Sequence, residues 1–157
     1  MKETLLTVLE NTRLADGIYR LRLAGDTSAI TAPGQFVNLK LSGFFLRRPI
    51  SVCDWENGEV TLIYKVLGHG TEAMTGMAVG TALDVLTGLG NGFDLSRSGE
   101  HPLLVGGGVG IPPLYGLAKR LTAQGKRVTA VLGFNRKSEF FLAEEFLSLI
   151  HISEPTR

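Results

Sequence analysis

The pattern of hydrophobic and polar positions changes character near residue 100. Before that point, short segments alternate apolar and polar residues, as half-buried strands do. These segments are residues 17–25 (GIYRLRLAG), 35–43 (QFVNLKLSG), 47–55 (RRPISVCDW), 59–68 (EVTLIYKVLG) and 81–89 (TALDVLTGL). The third and fourth are separated by Glu56-Asn57-Gly58, and an Asn-Gly pair is a strong signal for a tight hairpin. Short strands at this spacing predict an antiparallel barrel or sandwich.

The second part of the chain reads as strands that alternate with helices. Residues 101–108 (HPLLVGGG) and 127–134 (RVTAVLGF) are typical of buried strands. Between them, residues 110–125 place apolar side chains at helical spacing and end at Gly125, and a second helix is predicted over residues 138–150. This order predicts a βαβ unit with a parallel sheet. Two strands and two helices do not cover their own faces, so we expect a truncated chain whose last residues, HISEPTR, are of unrelated origin.

Composition and charge exclude several classes of protein. The 157 residues are 44% hydrophobic and 20% charged, enough to bury a core. A net charge of +1 without a basic run argues against nucleic acid or an anionic membrane as the main partner. No apolar stretch approaches the roughly 20 residues that span a bilayer, and the N-terminus lacks the apolar core of a secretory signal. A single cysteine, Cys53, excludes an intrachain disulfide, and we expect a cytoplasmic location.

The glycine-rich segment departs from the usual dinucleotide fingerprint. Gly108 to Pro113 reads G-x-G-x-x-P, where the fingerprint has a third glycine and an acidic residue about 20 positions later. Pro112 and Pro113 still suit the first turn of a helix, because an N–H there has no intrahelical partner to lose. The glycines let the backbone approach a ligand, and a helix N-terminus favours an anion. The loop therefore predicts nucleotide binding; the alternative is a glycine turn that packs strand on helix without a ligand.

Two arginines precede the third predicted strand. A planar guanidinium can give two parallel hydrogen bonds to a phosphate, and Ser51 adds a hydroxyl close by. The alternative for Arg47 and Arg48 is an ordinary solvated surface.

A short turn follows the fourth predicted strand and opens a helix that runs through Met74. Its residues Gly70 and Thr71 could offer N–H groups and a hydroxyl to a second anionic group. We interpret His69 as an exposed turn residue.

Together these residues resemble the ferredoxin–NADP reductase superfamily. Arg48-Pro49-Ile50-Ser51 resembles its flavin motif, in which a tyrosine often stands at the position of Ile50. Gly70-Thr71 resembles the second flavin segment, and the glycine loop resembles the pyridine-nucleotide loop. More closely, APGQFVNLKL, LRRPISVCDW, GHGTEAM, LGNGFDL and LLVGGGVGIPPL are similar to the electron-transfer subunit of type B, two-subunit bacterial dihydroorotate dehydrogenase, from about residue 3 to about residue 149.

The resemblance implies a six-stranded antiparallel barrel for FAD followed by an incomplete parallel-sheet α/β domain for NAD. We therefore expect the FAD barrel at residues 1–98, the first part of the NAD domain at residues 99–150 and a tail at residues 151–157.

The resemblance also implies which residues contact the cofactors. Arg48 would hold the FAD pyrophosphate. The remaining FAD residues would be Pro49, Ile50, Ser51, Ile63, Tyr64, Lys65, Gly70 and Thr71, and the NAD residues would be Gly107, Gly108, Val109 and Gly110. Because Ile50 does not stack on a flavin ring, we expect weaker stacking or stacking from elsewhere, with Tyr64 as one source. Ordinary strand packing is the alternative for Tyr64.

The activity implied is an electron conduit in pyrimidine synthesis. Electrons would pass from dihydroorotate, oxidised by an FMN-containing catalytic subunit in a heterotetramer, through a [2Fe–2S] cluster and FAD to NAD, with no catalytic acid or base on this chain. A cluster needs about four thiolates, and this chain has only Cys53, which we interpret as a small buried apolar residue. The cluster is therefore not expected on this chain, which we do not expect to turn over by itself.

Two alternatives remain open at this point. The chain could belong to another NAD(P)H-dependent flavoprotein reductase that serves sulfur reduction, ferredoxin or hydrogenase. It could also be an FAD-binding fragment without turnover.

Overall fold

The computed structural model describes residues 1–150, and the tail expected at residues 151–157 lies outside the described residues. Six antiparallel strands close into a barrel in the order β1-β2-β5-β4-β3-β6. They are β1 (Lys2–Ala15), β2 (Ile18–Ala24), β3 (Phe36–Leu39), β4 (Arg48–Glu56), β5 (Glu59–Lys65) and β6 (Ala82–Leu89). The six-stranded barrel expected from the resemblance is confirmed.

The alternation in the sequence becomes the barrel interior. Leu21 and Leu23 of β2 are fully buried, and they pair directly with Leu62 and Val60 of β5, which are fully buried as well. The polar residues between them point outward, so each strand presents one apolar face to the core. Burial of these apolar faces closes the sheet on itself.

The hairpin between β4 and β5 follows the prediction. Asn57 and Gly58 have φ of 50° and 76°, and they connect the paired residues Glu56 and Glu59. Two central residues with positive φ match the twist of the flanking strands, which is why the Asn-Gly pair favours this turn.

The alternation of apolar and polar residues in the sequence did not predict β1. Of its 14 residues, only Leu6 and Val8 are buried, and irregularities interrupt its register with β2. Its second partner is β6, with Lys2 opposite Thr87, so the first strand of the barrel closes against the last. β3 is shorter than the predicted segment 35–43 and ends at Leu39.

The second part of the chain contains the predicted strand, glycine loop, helix and strand. β7 (Leu103–Gly107) and β8 (Thr129–Gly133) pair in parallel, and α2 (Ile111–Ala123) connects them. Residues Gly108–Gly110 form a single 3₁₀ turn before α2. Gly125, with φ of 79°, follows the end of the helix, where a left-handed residue is favoured.

The predicted helix over residues 138–150 is wrong in its first part. Residues Lys137–Glu139 form a 3₁₀ turn, and α3 covers only Ala143–Leu149. The ring of Phe134 contacts both Phe140 and Phe141, at centroid distances of 4.7 and 5.5 Å. The backbone is extended at Phe140 and left-handed at Leu142, with φ of 61°, so the helix begins only at Ala143.

The barrel and the βαβ unit share a hydrophobic cluster. Ile18, Cys53 and Ile63, on the outside of the barrel, pack in it with Ile111 and Leu114 of α2. The predicted boundary between residues 98 and 99 falls in the connection from β6 to β7 and stays a prediction. Within residues 1–150, no helix combines the length and hydrophobicity needed to cross a membrane.

Candidate functional site

A cavity of about 230 Å³ lies where the barrel meets the glycine loop. Its walls come from the start of β4, the end of β5, the segment after β5, and the loop. The lining residues are Pro49, Ile50, Ser51, Ile63, Tyr64, Lys65, Leu67, Thr71 and Val109. All but Leu67 were singled out from the sequence, so the fold brings predicted FAD residues and one predicted NAD residue to the same place.

Strand pairing explains why the two barrel segments meet. β4 and β5 are antiparallel neighbours, and Val52 pairs with Leu62, so the start of β4 lies beside the end of β5. Ile63 is 3% exposed because its side chain points out of the barrel into the cluster shared with α2. The cavity therefore has an apolar wall that is buried before any ligand is added.

Tyr64 does not supply the ring stacking suggested for it. Its ring is 1% exposed and stacks on Tyr19 at a centroid distance of 5.6 Å. Its hydroxyl donates a hydrogen bond of 3.0 Å to Oδ1 of Asn11, and burial raises its pKa above the usual value. That suggestion is wrong, because the ring is committed to the barrel core while the residue borders the cavity.

The two adjacent arginines have different surroundings. The guanidinium of Arg47 lies 3.0 Å from Asp84 and 2.9 Å from Glu3. Arg48 has no carboxylate within 4.0 Å in the described part of the chain; its Nη1 donates to the carbonyl of Leu46 at 2.6 Å, and its guanidinium lies 5.1 Å from the ring centroid of Phe44. Arg47 therefore holds the barrel together, and Arg48 keeps a charge that an anionic ligand could neutralise.

The segment after β5 packs directly beneath Arg48. α1 (His69–Met74) begins here, and a Cβ at Gly70 would lie 2.0 Å from Nε of Arg48. A side chain at position 70 would displace the guanidinium from where it lies here. The hydroxyl of Thr71 accepts from the N–H of Leu67 at 2.9 Å and donates to the carbonyl of Gly68 at 3.1 Å. It therefore closes the turn, rather than pointing freely toward a ligand as suggested from the sequence.

The side chain of His69 is 97% exposed, as interpreted from the sequence.

The glycine loop combines a packing role with an open surface. A Cβ at Gly106 would lie 2.5 Å from Leu114 of α2, so this glycine allows the strand and the helix to pack closely. Gly108, with φ of 51°, and Gly110 have open space where a side chain would be. Pro112 and Pro113 stand in the first turn of α2, as predicted. The packing interpretation thus describes Gly106, while the turn beyond it is open to a ligand.

One ion pair ties the cavity wall to the segment after β8. Nζ of Lys65 lies 3.1 Å from Oε1 of Glu139, and both side chains are largely buried. Glu139 belongs to the 3₁₀ turn Lys137–Glu139, and in that turn the carbonyl of Ser138 accepts a hydrogen bond from the N–H of Asp16 at 2.9 Å. The βαβ unit therefore also contacts the barrel on the Lys65 side of the cavity.

Sequence comparison places the chain with one group of proteins. It is 45% identical, over 95% of its length, to the electron transfer subunit of dihydroorotate dehydrogenase B (NAD(+)) from Bacillus pumilus. It is 42% identical, over 94% of its length, to the subunit of the same name from Enterococcus faecalis. The chain is thus similar to this subunit over almost its whole length. It spans 61% and 59% of the length of these two relatives. No protein-family model matches the chain.

Solved structures agree with this similarity. An NADH-dependent reduced ferredoxin-NADP oxidoreductase superposes with a TM-score of 0.85 at 30% identity, and the match covers 95% of this chain and 55% of that one. Phthalate dioxygenase reductase superposes with a TM-score of 0.79 at 20% identity, covering 98% and 52%. The second likeness concerns the fold alone. The chain therefore has the fold of these reductases.

The residues present do not fit an iron–sulfur cluster. Such a cluster needs about four thiolates, and the sequence contains one cysteine. Cys53 is 2% exposed, and burial raises the pKa of its thiol. No group of three or more metal-ligating side chains occurs among residues 1–150. Cys53 is therefore a packing residue, as interpreted from the sequence.

Proposed function

We propose that the chain is an electron-transfer flavoprotein subunit that holds FAD at the barrel cavity and receives NAD at the glycine loop. One observation carries the proposal: barrel residues and Val109 of the loop line the same cavity. Two redox partners must approach closely to exchange electrons, and this cavity is where a ligand on the barrel would meet a ligand on the loop.

The cavity suits part of FAD rather than all of it. Its volume of about 230 Å³ is below the ~300–1,000 Å³ of pockets that enclose a whole ligand. We therefore assign it to the flavin ring system, with Pro49, Ile50 and Ser51 on one side and Ile63 on the other. The pyrophosphate would lie outside, at the uncompensated guanidinium of Arg48, which lies against the backbone of Gly70. The contacts of Gly70 and Thr71 therefore favour a supporting role for both residues beside the phosphates.

When bound, FAD supplies the chemistry, accepting a hydride from NADH or returning one to NAD and exchanging single electrons with other centres. The protein residues bind, orient and exclude water. Ile50, Ile63 and Val109 present apolar surface to the reacting region, and the open backbone at Gly107, Gly108 and Gly110 leaves room for the pyridine nucleotide. No side chain of this chain is assigned as a catalytic acid or base.

The similar proteins are named as electron transfer subunits, and that name supports a wider role in a complex. We propose that the partner is an FMN-containing catalytic subunit that oxidises dihydroorotate in pyrimidine synthesis, in a heterotetramer, and that net electron flow runs toward NAD. A [2Fe–2S] cluster would serve that complex, but this chain, with one cysteine, offers no ligand set for one.

A second candidate is another NAD(P)H-dependent flavoprotein reductase. The 30% identity to an NADH-dependent reduced ferredoxin-NADP oxidoreductase favours this alternative. The two candidates predict the same flavin site and differ in the electron-exchanging partner.

A spectroscopic experiment tests the proposal on the chain itself. The purified protein is incubated with FAD and desalted, its visible spectrum is recorded, and NADH is then added without oxygen. We expect retained flavin absorbance that NADH bleaches. A chain that retains FAD but is not bleached would support a binding module without turnover, and a chain that retains no FAD would contradict the proposal.

A further inference from the structure

Helix α2 carries a glycine where helix propensity favours another residue. Gly116 lies in the middle of the helix, a position at which alanine is intrinsically more favourable. The structure supplies the reason: a Cβ at Gly116 would lie 2.5 Å from the carbonyl oxygen of Cys53 on β4. The glycine therefore lets the helix backbone approach the backbone of the barrel, and any side chain would force the two apart.

Charged residues about one turn after Gly116 also hold α2 against β4. Nζ of Lys119 lies 2.7 Å from Asp54 and 3.1 Å from Glu56, both on β4. The guanidinium of Arg120 lies 3.5 Å from Asp54 and 3.4 Å from the ring centroid of Trp55. Because Asp54 is largely buried and meets two cations, helix and strand are joined by more than a surface ion pair.

The contact lies close to the cavity along both elements. On β4, the cavity residues Pro49–Ser51 come directly before the docking residues Cys53–Glu56. On α2, the glycine loop comes directly before the helix that carries Gly116. A helix rises 1.5 Å per residue and a strand about 3.3 Å, so about 7 Å separates the contact from the cavity residue Ser51 on β4, and about 10 Å separates Gly116 from the cavity residue Val109. A displacement at Gly116 therefore moves Val109 relative to Ile50.

We propose that Gly116 and the ion pairs of Asp54 set the distance between the glycine loop and the barrel cavity, and so position the two nucleotides for hydride transfer. Gly116 is a positioning residue that touches neither nucleotide. The inference rests on the proposed function for its effect on rate, while its geometric part concerns the helix and the barrel alone.

Substituting Gly116 tests both parts. In Gly116→Ala, the contact must widen from 2.5 Å to at least 3.0 Å, and in Gly116→Val it must widen further. A misplacement of about 1 Å can slow a reaction about a hundredfold. We therefore expect the limiting rate of flavin bleaching by NADH to fall about tenfold in Gly116→Ala and further in Gly116→Val, with FAD content and the apparent Kd for NADH retained. The matched control is Gly99→Ala, at an exposed glycine with open space around it.

A distance measurement follows the same variants without any cofactor chemistry. Thr7→Cys on the barrel and Ala123→Cys at the end of α2 place spin labels at exposed positions, and native Cys53 is too buried to react. The distance distribution between the labels should shift or broaden in Gly116→Ala and not in Gly99→Ala. Asp54→Asn, which removes the shared carboxylate without adding bulk, should broaden it as well, whereas Lys137→Gln, at an exposed lysine, should not.

The outcomes distinguish a failure of the inference about Gly116 from a failure of the proposed function. An unchanged distance and an unchanged bleaching rate in Gly116→Val would overturn the inference, and so would a slower rate with an unchanged distance. If the wild-type chain is not bleached by NADH, the proposed function fails for this chain, and the distance measurement still decides whether Gly116 sets the spacing.

Discussion

Replacing Arg48 by alanine separates ligand binding from fold stability. Arg48 has no carboxylate partner within residues 1–150, so its loss strands no buried charge in the protein. The folded-state interactions removed are its contact with the ring of Phe44, worth about 0.5–1 kcal/mol at an exposed site, and its exposed hydrogen bond to the carbonyl of Leu46. We expect the melting temperature of Arg48→Ala to change little.

The effect on FAD follows from the phosphate charge. Hydrogen bonds to charged groups contribute about 1.5–3 kcal/mol, and each 1.4 kcal/mol is a factor of about ten in Kd. Arg48→Ala should therefore weaken FAD binding about 10- to 150-fold. The FAD affinity of Arg48→Lys should lie between those of Arg48→Ala and the wild type, because an ammonium keeps the charge and loses the paired hydrogen bonds.

The neighbouring arginine is a matched control. Arg47→Ala removes the partner of Asp84 and Glu3, so it should lower the melting temperature and change FAD affinity far less. The assays are a titration of FAD followed by flavin fluorescence and a thermal melt without FAD. Equal loss of FAD affinity in both variants, or unchanged affinity in Arg48→Ala, would refute the assignment of Arg48 to the pyrophosphate.

Three further predictions concern the loop, the core and the barrel surface. Gly108→Val, at a residue with φ of 51° and open space, should slow bleaching by NADH more than it lowers FAD content, and equal loss of both would mean that the loop is structural. Tyr64→Phe should lower the free energy of unfolding by about 1–2 kcal/mol in a denaturant titration, because the partly buried oxygen of Asn11 loses its donor; no loss would show that water replaces the bond. The hydrogen bond from Arg47 lowers the pKa of Asp84 below its ordinary value of 3.8. A lowered folded-state pKa gives stability that is present above the ordinary value and is lost as the pH falls through the folded one. Asp84→Asn should therefore be less stable than the wild type at neutral pH, with a difference that shrinks below about pH 4 in melts across pH; a constant difference would contradict the ion pair.

Local chemistry determined which elements could be predicted from the sequence. The β4–β5 hairpin follows from Asn57-Gly58 and the alternation around it, and the βαβ unit follows from a glycine loop that precedes two prolines. β1 was missed because its pairing with β6 joins Lys2 to Thr87, a contact that no local pattern encodes. The start of α3 was misplaced because the backbone is extended at Phe140 and left-handed at Leu142, where the spacing of apolar residues predicted helix.

The separate segments of the candidate site were predictable from the sequence, but their meeting at one cavity was not. Arg48 and the glycine loop carry recognisable chemistry, and the remaining FAD residues came from the family resemblance. The sequence did not distinguish Arg47 from Arg48, since the difference arises from Asp84 across the barrel. Leu67 and the contact between Gly116 and Cys53 had no signal at all, because their significance depends on packing between distant segments.

The pairing of β1 with β6 has a consequence for how the chain is made. The ribosome delivers the N-terminal strand first, yet one of its two neighbours in the barrel arrives only after about residue 87 has emerged. Until then the apolar side of β1 has no closed interior to enter, and such long-range pairings are slow to form. We expect the nascent chain to stay unprotected from proteases until β6 has left the exit tunnel, and to gain protection in a single step at that length.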